Sequence, residues 1–324
     1  MQLHTFNIKN YRSIFNISLS IEPGVNVLIG PNGCGKSNIL TAINRFFEGL
    51  LLEKKLLRVE KSDFWFGTTK AIQFVGEVTH KNEKKMKMTY KVTDGLNLSI
   101  NMDNVPRFSD IETLIGYYHY IPSERHFRNQ YFSLRNIQYL PQRKFDSSEM
   151  GSEEALRPYV EMTINKPDEL EELSDLISKV HPDLKKIYIS LDKENQHGKL
   201  IAIINNYAIP FGLLSSGVQQ LISFISIIHF SKNSLILIDE PELHMNPRMV
   251  IEISNIIQKS HEQNNNQFII GTHSRSLISK PNINIIPLEY GRMRKVRNVT
   301  SFSTMISKEV SNEFVDKSFL MKED

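Results

Sequence analysis

The sequence predicts an α/β fold of two joined lobes, with a mixed sheet, an antiparallel β subdomain and an inserted segment. Three observations carry this expectation. The apolar run Val25 to Ile29 leads straight into a glycine-rich loop and then into apolar residues at helical spacing. A second apolar run, Leu235 to Ile238, ends on two adjacent carboxylates. Ala71 to Val78 and Met86 to Val92 alternate apolar with polar residues, as in a hairpin with one wet face.

Taken in order, Leu3 to Ile8 and Ile17 to Ile21 read as strands ahead of the buried strand Val25 to Ile29. From Lys36 onward, Ile39, Leu40, Ile43, Phe46, Phe47 and Leu50 recur at a spacing that presses one helix face onto a sheet. Ile115 to Ile121 returns the chain to the main sheet. Pro122 to Pro158 is irregular and mixes basic, aromatic and serine residues, which fits a lid. Glu169 to Val180 reads as an amphipathic helix, and Lys186 to Leu191 with Leu200 to Asn205 as a second hairpin. Helix Ser215 to Phe230, strand Leu235 to Ile238, helix Pro247 to Lys259 and strands Gln267 to Gly271 and Ile283 to Leu288 complete the pattern. The expected division is 1–121 for the N-terminal lobe, 122–184 for the lid and helical insertion, 185–290 for the C-terminal lobe and 291–324 for a tail.

Bulk properties narrow the function classes. With 324 residues, 40% of them hydrophobic and 23% charged, the chain can bury a full core. Its single cysteine, Cys34, has no partner within the chain, so no internal disulfide forms. With no signal peptide ahead of the first strand, the expected location is a reducing cytoplasm. A net charge of +3 is too small to argue nucleic-acid binding by itself. Phe211 to Phe230 is the one window apolar enough to raise a membrane span, but Gln219, Gln220 and four serines interrupt it. No membrane partner is expected.

Chemistry concentrates in four motifs. Gly30-Pro31-Asn32-Gly33-Cys34-Gly35-Lys36-Ser37, followed by Asn38, matches a phosphate-binding loop between a strand and a helix. Its glycines let backbone N–H groups wrap phosphate oxygens at the positive end of the helix. Lys36 reaches the β and γ phosphates, and the Ser37 hydroxyl suits Mg²⁺, a hard cation that takes oxygen ligands. Asp239, at the carboxyl end of its strand, is the expected acid on the Mg²⁺ side. Glu240 points the other way and is placed to polarise or deprotonate the attacking water.

The third motif, Leu214-Ser215-Ser216-Gly217-Val218-Gln219, opens a helix, with Ser215 as its expected cap and Gly217 leaving the backbone open to a phosphate. The fourth, Gly271-Thr272-His273-Ser274, follows a strand and resembles a switch-histidine motif, which implies that His273 contacts the γ phosphate.

Together with Asn10-Tyr-Arg12-Ser-Ile and Glu240-Pro-Glu-Leu-His-Met-Asn-Pro247, these residues resemble the RecF/SMC-like ABC ATPases, and more narrowly the stand-alone ATPases of the overcoming-lysogenization-defect and Septu type. The resemblance implies a two-lobed ABC-type head of the phosphate-loop NTPase class that binds ATP and Mg²⁺ and hydrolyses ATP. It implies a homodimer in which Ser215, Ser216 and Gly217 of one chain complete the site of the other, with Pro241 to Pro247 crossing the interface. Arg12 contacts adenine or the α phosphate on this resemblance, or else is a solvated loop residue. Glu124 or Arg125 is the candidate for the glutamine loop. Ser216 and Val218 depart from the usual signature, and no TOPRIM-like acidic cluster follows His273.

The resemblance leaves the object of the ATPase open between a separate effector such as a nuclease or toxin in phage defence, a DNA repair substrate, and a transporter, the last disfavoured by the motifs just quoted. Arg125, Arg128, Arg135, Arg143 and Lys144 alternate with Phe127, Tyr131, Phe132, Tyr139 and Phe145, a composition that suits either DNA or RNA through 125–145 or a solvated basic lid. Arg292 to Arg297 is a second basic patch or an exposed tail.

Overall fold

The computed structural model describes residues 1–51, 60–65, 70–79, 86–92, 98–103, 118–123, 132–133, 167–192, 197–243, 245–278, 282–289 and 292–293. Alternating residues build the first layer. Strands β1 (Gln2–Tyr11) and β2 (Ile14–Ser20) form a hairpin, and after β3 (Val25–Ile29) and helix α1 (Lys36–Leu51) the chain adds β4 (Ile72–Thr79), β5 (Met86–Val92) and β6 (Leu98–Asp103). These make a five-stranded antiparallel sheet in the order β2-β1-β4-β5-β6. In β4 and β5 every second residue is buried, so one face packs inward and the other meets water.

The second sheet is mixed. After β7 (Tyr118–Ile121) and β8 (Phe132–Ser133) come helix α2 (Pro167–Val180), β9 (Leu184–Asp192), β10 (His197–Ile204), β11 (Tyr207–Pro210) and helix α3 (Ser216–Phe230). The chain closes with β12 (Leu235–Asp239), α4 (Pro247–Asn264), β13 (Gln267–Gly271), the single-turn α5 (Arg275–Ile278), β14 (Ile283–Glu289) and β15 (Arg292–Met293). The six-stranded order is β15-β14-β3-β13-β12-β7, with β14, β3, β13, β12 and β7 parallel and β15 antiparallel to β14. Strand β3 from the first half of the chain thus lies between two strands from the last third. Strands β9, β10, β11 and β8 form a small antiparallel sheet of their own.

Period-two alternation in the parallel strands sorts the core into two halves. Val25, Val27, Ile236, Ile238, Phe268 and Ile270 face a cluster built with α2, α3 and α4. Leu28, Leu235, Leu237 and Ile269 face a second cluster built with α1 and the five-stranded sheet. Both faces are covered, which is why β3, β12 and β13 are buried along their whole length. Helix α2, assigned from sequence to the insertion, packs on β9, α3 and α4. Helix α4 runs five residues beyond Lys259, because its stop is Asn265 in the left-handed conformation, while Asn246 caps its start by accepting Met249 N–H and Pro247 takes the first turn. Among the described residues no helix is long and apolar enough to cross a membrane, and α3 is buried against the sheet instead.

Aromatic residues weld α1 to the five-stranded sheet. Phe46 meets Phe6 edge-on at 5.3 Å between ring centroids, and Gly76 makes room for it, since a Cβ there would come within 2.9 Å of the Phe46 ring. At the rim of this contact Asp63, buried to 2%, accepts Arg12 Nε at 3.0 Å and Arg45 Nη1 at 2.6 Å. Its backbone carbonyl accepts Arg12 N–H at 2.8 Å, so one residue ties the β1–β2 turn to α1. Burial works to raise the Asp63 carboxyl, but the Glu60 amide and the two guanidinium groups outweigh it and hold it below the usual carboxylate range.

Because the Asp63 pKa is depressed on folding, its stabilisation is complete above the unfolded carboxylate value and is lost as pH falls through the lower folded value. Asp63→Asn should therefore cost about 2–3 kcal/mol in urea unfolding near neutral pH, with the gap to wild type closing below about pH 4. A gap that stays constant down to acid pH would show that the carboxylate charge is not what braces the turn.

Candidate functional site

The glycines of the phosphate loop are needed for different reasons. At Gly30 a Cβ would stand 2.4 Å from the Leu288 carbonyl oxygen and 2.8 Å from Cys34 Sγ, so the loop leaves β3 pressed against β14. Gly33 and Gly35 have φ of +74° and +106°, backbone that side chains rarely adopt, and Gly33 has open space around it. Cys34 is buried inside the loop and Ser37 is exposed at the start of α1. Lys36 is 5% exposed, and its ammonium donates to the Gly30 carbonyl at 2.8 Å and the Pro31 carbonyl at 3.3 Å. Burial lowers the Lys36 pKa, opposed by the Cys34 sulfur and by the carboxylates of Glu240, Asp239 and Glu242.

Three strand ends converge on this lysine. Asp239 and Gly271 are paired at the carboxyl ends of β12 and β13. A Cβ on Gly271 would meet Asp239 Oδ1 at 3.1 Å, Leu40 Cδ1 at 3.1 Å and Lys36 Cβ at 3.5 Å, so the absent side chain is what lets the acid and the loop lysine stand together. Asp239 is 3% exposed. The next residue, Glu240, turns sharply with φ of +48° and its N–H donates to the Gly271 carbonyl at 2.8 Å. Its carboxylate is one-third exposed and lies 3.9 Å from His273 Nε2. The two neighbouring acids therefore differ in setting, one buried against the loop and one open to water.

Arg12 sits on the flank. It has φ of +47°, and besides its bonds to Asp63 it directs Nη1 to Asn38 Oδ1 at 3.4 Å. Asn38 also donates to Ser13 Oγ at 2.8 Å, so the β1–β2 turn is fastened to α1 one residue after Ser37.

Ser215, Ser216 and Gly217 lie elsewhere. Their helix, α3, packs with α2 and α4 on the face of the sheet opposite α1. Ser215 occupies the cap position, but its side chain makes no capping hydrogen bond, contrary to the expectation from sequence. Gln219 holds the helix entry instead, donating to the carbonyls of Phe211 at 2.9 Å and Leu214 at 3.1 Å. Ser215 and Ser216 are exposed, as are Leu213 at 66% and Tyr207 at 72%.

Glu124 and Arg125 fall outside the described residues, as does the basic aromatic segment 125–145 apart from Phe132–Ser133, and Arg292 to Arg297 beyond Met293. A groove of about 600 Å³ between α2, α3 and α4, lined by Glu169, Glu172, His229, Lys232 and Lys259 among others, contains none of the predicted site residues.

Sequence reading passed over Glu242. Its Oε1 accepts the Thr272 hydroxyl at 2.6 Å and the His273 N–H at 2.8 Å. The Glu240-Pro-Glu spacing was visible, but nothing local announces a partner thirty residues away. Asp63 carries no sequence signal at all.

The donor set fits a magnesium nucleotide. Backbone turned by Gly33 and Gly35 at the start of a 16-residue helix suits phosphate oxygens. One hydroxyl and one carboxylate beside them suit Mg²⁺, which keeps phosphate and water ligands rather than an all-protein cage. Among the described residues no group of three or more His, Cys, Asp and Glu is placed to hold a metal ion.

Left-handed backbone costs a non-glycine residue about 1 kcal/mol, so Glu240→Gly should unfold at higher denaturant than Glu240→Ala by about that amount. Equal midpoints would show that the turn at the strand end is unstrained.

Comparisons with known proteins agree with this geometry. The Smc head bound to the C-winged helix domain of ScpA superposes with a TM-score of 0.67 over 91% of this chain and 97% of that one, at 16% identity. The Pyrococcus furiosus Smc head with an extended coiled coil, bound to the C-terminal domain of ScpA, gives 0.62 over 95% and 99%, at 15% identity. At these identities the likeness is one of fold. The DNA replication and repair protein RecF of Rickettsia conorii is 44% identical over 61 residues, 18% of this chain and 17% of that protein. The chain thus matches about a sixth of that relative's length. A family described as "AAA domain, putative AbiEii toxin, Type IV TA system" matches residues 25–279, which takes in the phosphate loop, both acids and His273. The family model spans most of the chain, and the chain belongs to that AAA family.

Proposed function

We propose that the protein binds and hydrolyses ATP, and that nucleotide-gated pairing of two copies controls its hold on an effector protein or nucleic acid, in anti-phage defence. The observation that carries the catalytic part is the gathering of Lys36 and Asp239 around Gly271, where a Cβ on the glycine would come within 3.5 Å of both side chains, with Glu240 and His273 3.9 Å apart beside them. The loop amides and Lys36 bind the β and γ phosphates of ATP. Ser37 and Asp239 would hold Mg²⁺, which supplies neutralisation of phosphate charge. Glu240 takes a proton from water as its oxygen bonds to the γ phosphorus and the bond to the β–γ bridging oxygen breaks. His273 donates to the γ phosphate and stays near Glu240. Arg12, held by Asp63, contacts the α phosphate or adenine in this reading.

Pairing of copies is supported by the placement of Ser215 to Gly217 on the far side of the sheet from the chain's own loop. The exposed Leu213, two residues before them, supplies apolar surface for a second copy to cover. The family description, with its toxin and type IV TA wording, supports a defence role, in which a separate nuclease or toxin is the proposed effector. The RecF relatives support a second reading, a repair ATPase whose turnover DNA stimulates, and DNA binding that weakens steeply with salt would favour it.

Lys36→Ala should weaken ATP binding by about tenfold to a hundredfold, the value of a charge-assisted hydrogen bond, as read by fluorescent-nucleotide titration. Glu240→Gln should bind ATP but not turn it over, and should double in mass with ATP at micromolar protein. Unchanged binding in the lysine variant would sink the nucleotide site. Monomers that persist in the glutamine variant with ATP would sink the pairing.

A further inference from the structure

The acid after Glu240-Pro is not used by the reaction just described, yet it is the best-connected side chain of its segment. Glu242 is half-buried, and a single oxygen, Oε1, serves both the Thr272 hydroxyl and the His273 N–H. Thr272 is fully buried, and its hydroxyl, while donating to Glu242, accepts Ser274 N–H at 2.9 Å. The Thr272 amide donates to the Leu28 carbonyl at 3.2 Å, on the strand that leads into the phosphate loop. On the other side, Leu243 N–H bonds to the Glu240 carbonyl and Met245 N–H to the Glu242 carbonyl, so the acid sits on a tight turn rather than a loose arm.

We propose that Glu242 is the positioning residue of this site, fixing the backbone of His273 so that its ring stays beside Glu240. The inference rests on the ATPase reading above and adds to it the element that aims the histidine. Without Oε1, the Thr272 hydroxyl and His273 N–H lose this acceptor, and the Thr272 N–H keeps its bond to the Leu28 carbonyl. The second oxygen, Oε2, is buried and accepts no hydrogen bond among the described residues, so the role depends on the acceptor at Oε1 rather than on a second contact.

The experiment uses Glu242→Ala, Glu242→Gln and Thr272→Val in the full chain, each compared with wild type for ATP affinity, single-turnover rate and amide hydrogen exchange. Glu242→Ala should slow the chemical step by about 10- to 100-fold, the cost of misplacing a reacting group, with ATP affinity within about threefold of wild type. Exchange at residues 272–274 should speed up while β12 stays protected. Glu242→Gln keeps an acceptor oxygen and should restore most of the rate. Thr272→Val should slow the step too, and the double variant Glu242→Ala with Thr272→Val should lose no more than the worse single change, because both cut one connection. Wild-type turnover in Glu242→Ala, additive losses in the double variant, or a glutamine variant as slow as alanine would each overturn the proposal. If Glu242→Ala fails to fold, the glutamine and valine variants carry the test. Wild-type protein that binds no ATP would sink the ATPase reading, whereas intact wild-type turnover with an unaffected Glu242→Ala would sink this inference alone.

Discussion

The arrangement turns on a missing side chain at the end of β13. Gly271 lies between Asp239 and Lys36, and a Cβ there would crowd the Asp239 carboxylate at 3.1 Å and touch the lysine stem at 3.5 Å. That closeness depends on the strands being parallel and in register, so that β3, β13 and β12 all end at the same edge. The fold therefore gathers the chemistry at the carboxyl edge of the sheet, where parallel α/β architectures leave a crevice. The buried acid, the open acid and the loop then acquire their different settings from one geometric fact.

The same sheet separates what the chain uses in two directions. The loop and α1 belong to one face with the antiparallel layer, whereas the exposed serines that open α3 belong to the other with α2 and α4.

Much of this was legible in the residues. The runs at Val25 and Leu235 are continuous because both their faces are covered, and a continuous run ending in glycines or acids is a strong local signal. Strands β4 and β5 showed themselves by alternation. Strand β6, by contrast, was passed over although Leu98, Ile100 and Met102 alternate, because its polar partners Ser99, Asn101 and Asp103 also suit a loop. Helix α4 was cut short at Lys259 because Ser260, His261 and the polar residues after them carry no apolar period, and only the asparagine in the left-handed conformation marks the true stop. The site divides in the same way. Motifs set by neighbours in sequence could be read, but Asp63 and Glu242 act on residues far along the chain, and a lone acid in a loop says nothing about its distant partners.

Two buried amides do something for the molecule that no apolar pair can. Asn26 in β3 donates to the carbonyls of Glu22 and Phe268 and accepts from Glu22 N–H and Asn284. Gln267 in β13 donates to the carbonyls of Leu3 and Glu22 and accepts Leu3 N–H. Gln267 thereby ties β13 to β1 of the other sheet, and Asn26 ties β3 to β13 and β14 within its own, with directed bonds that resist sliding where apolar contacts do not. They act as shear pins. Deamidation at either position, a single nitrogen exchanged for oxygen, would turn donors into a charge facing carbonyl oxygens, so these pins are also where slow chemical ageing would unfasten the strands.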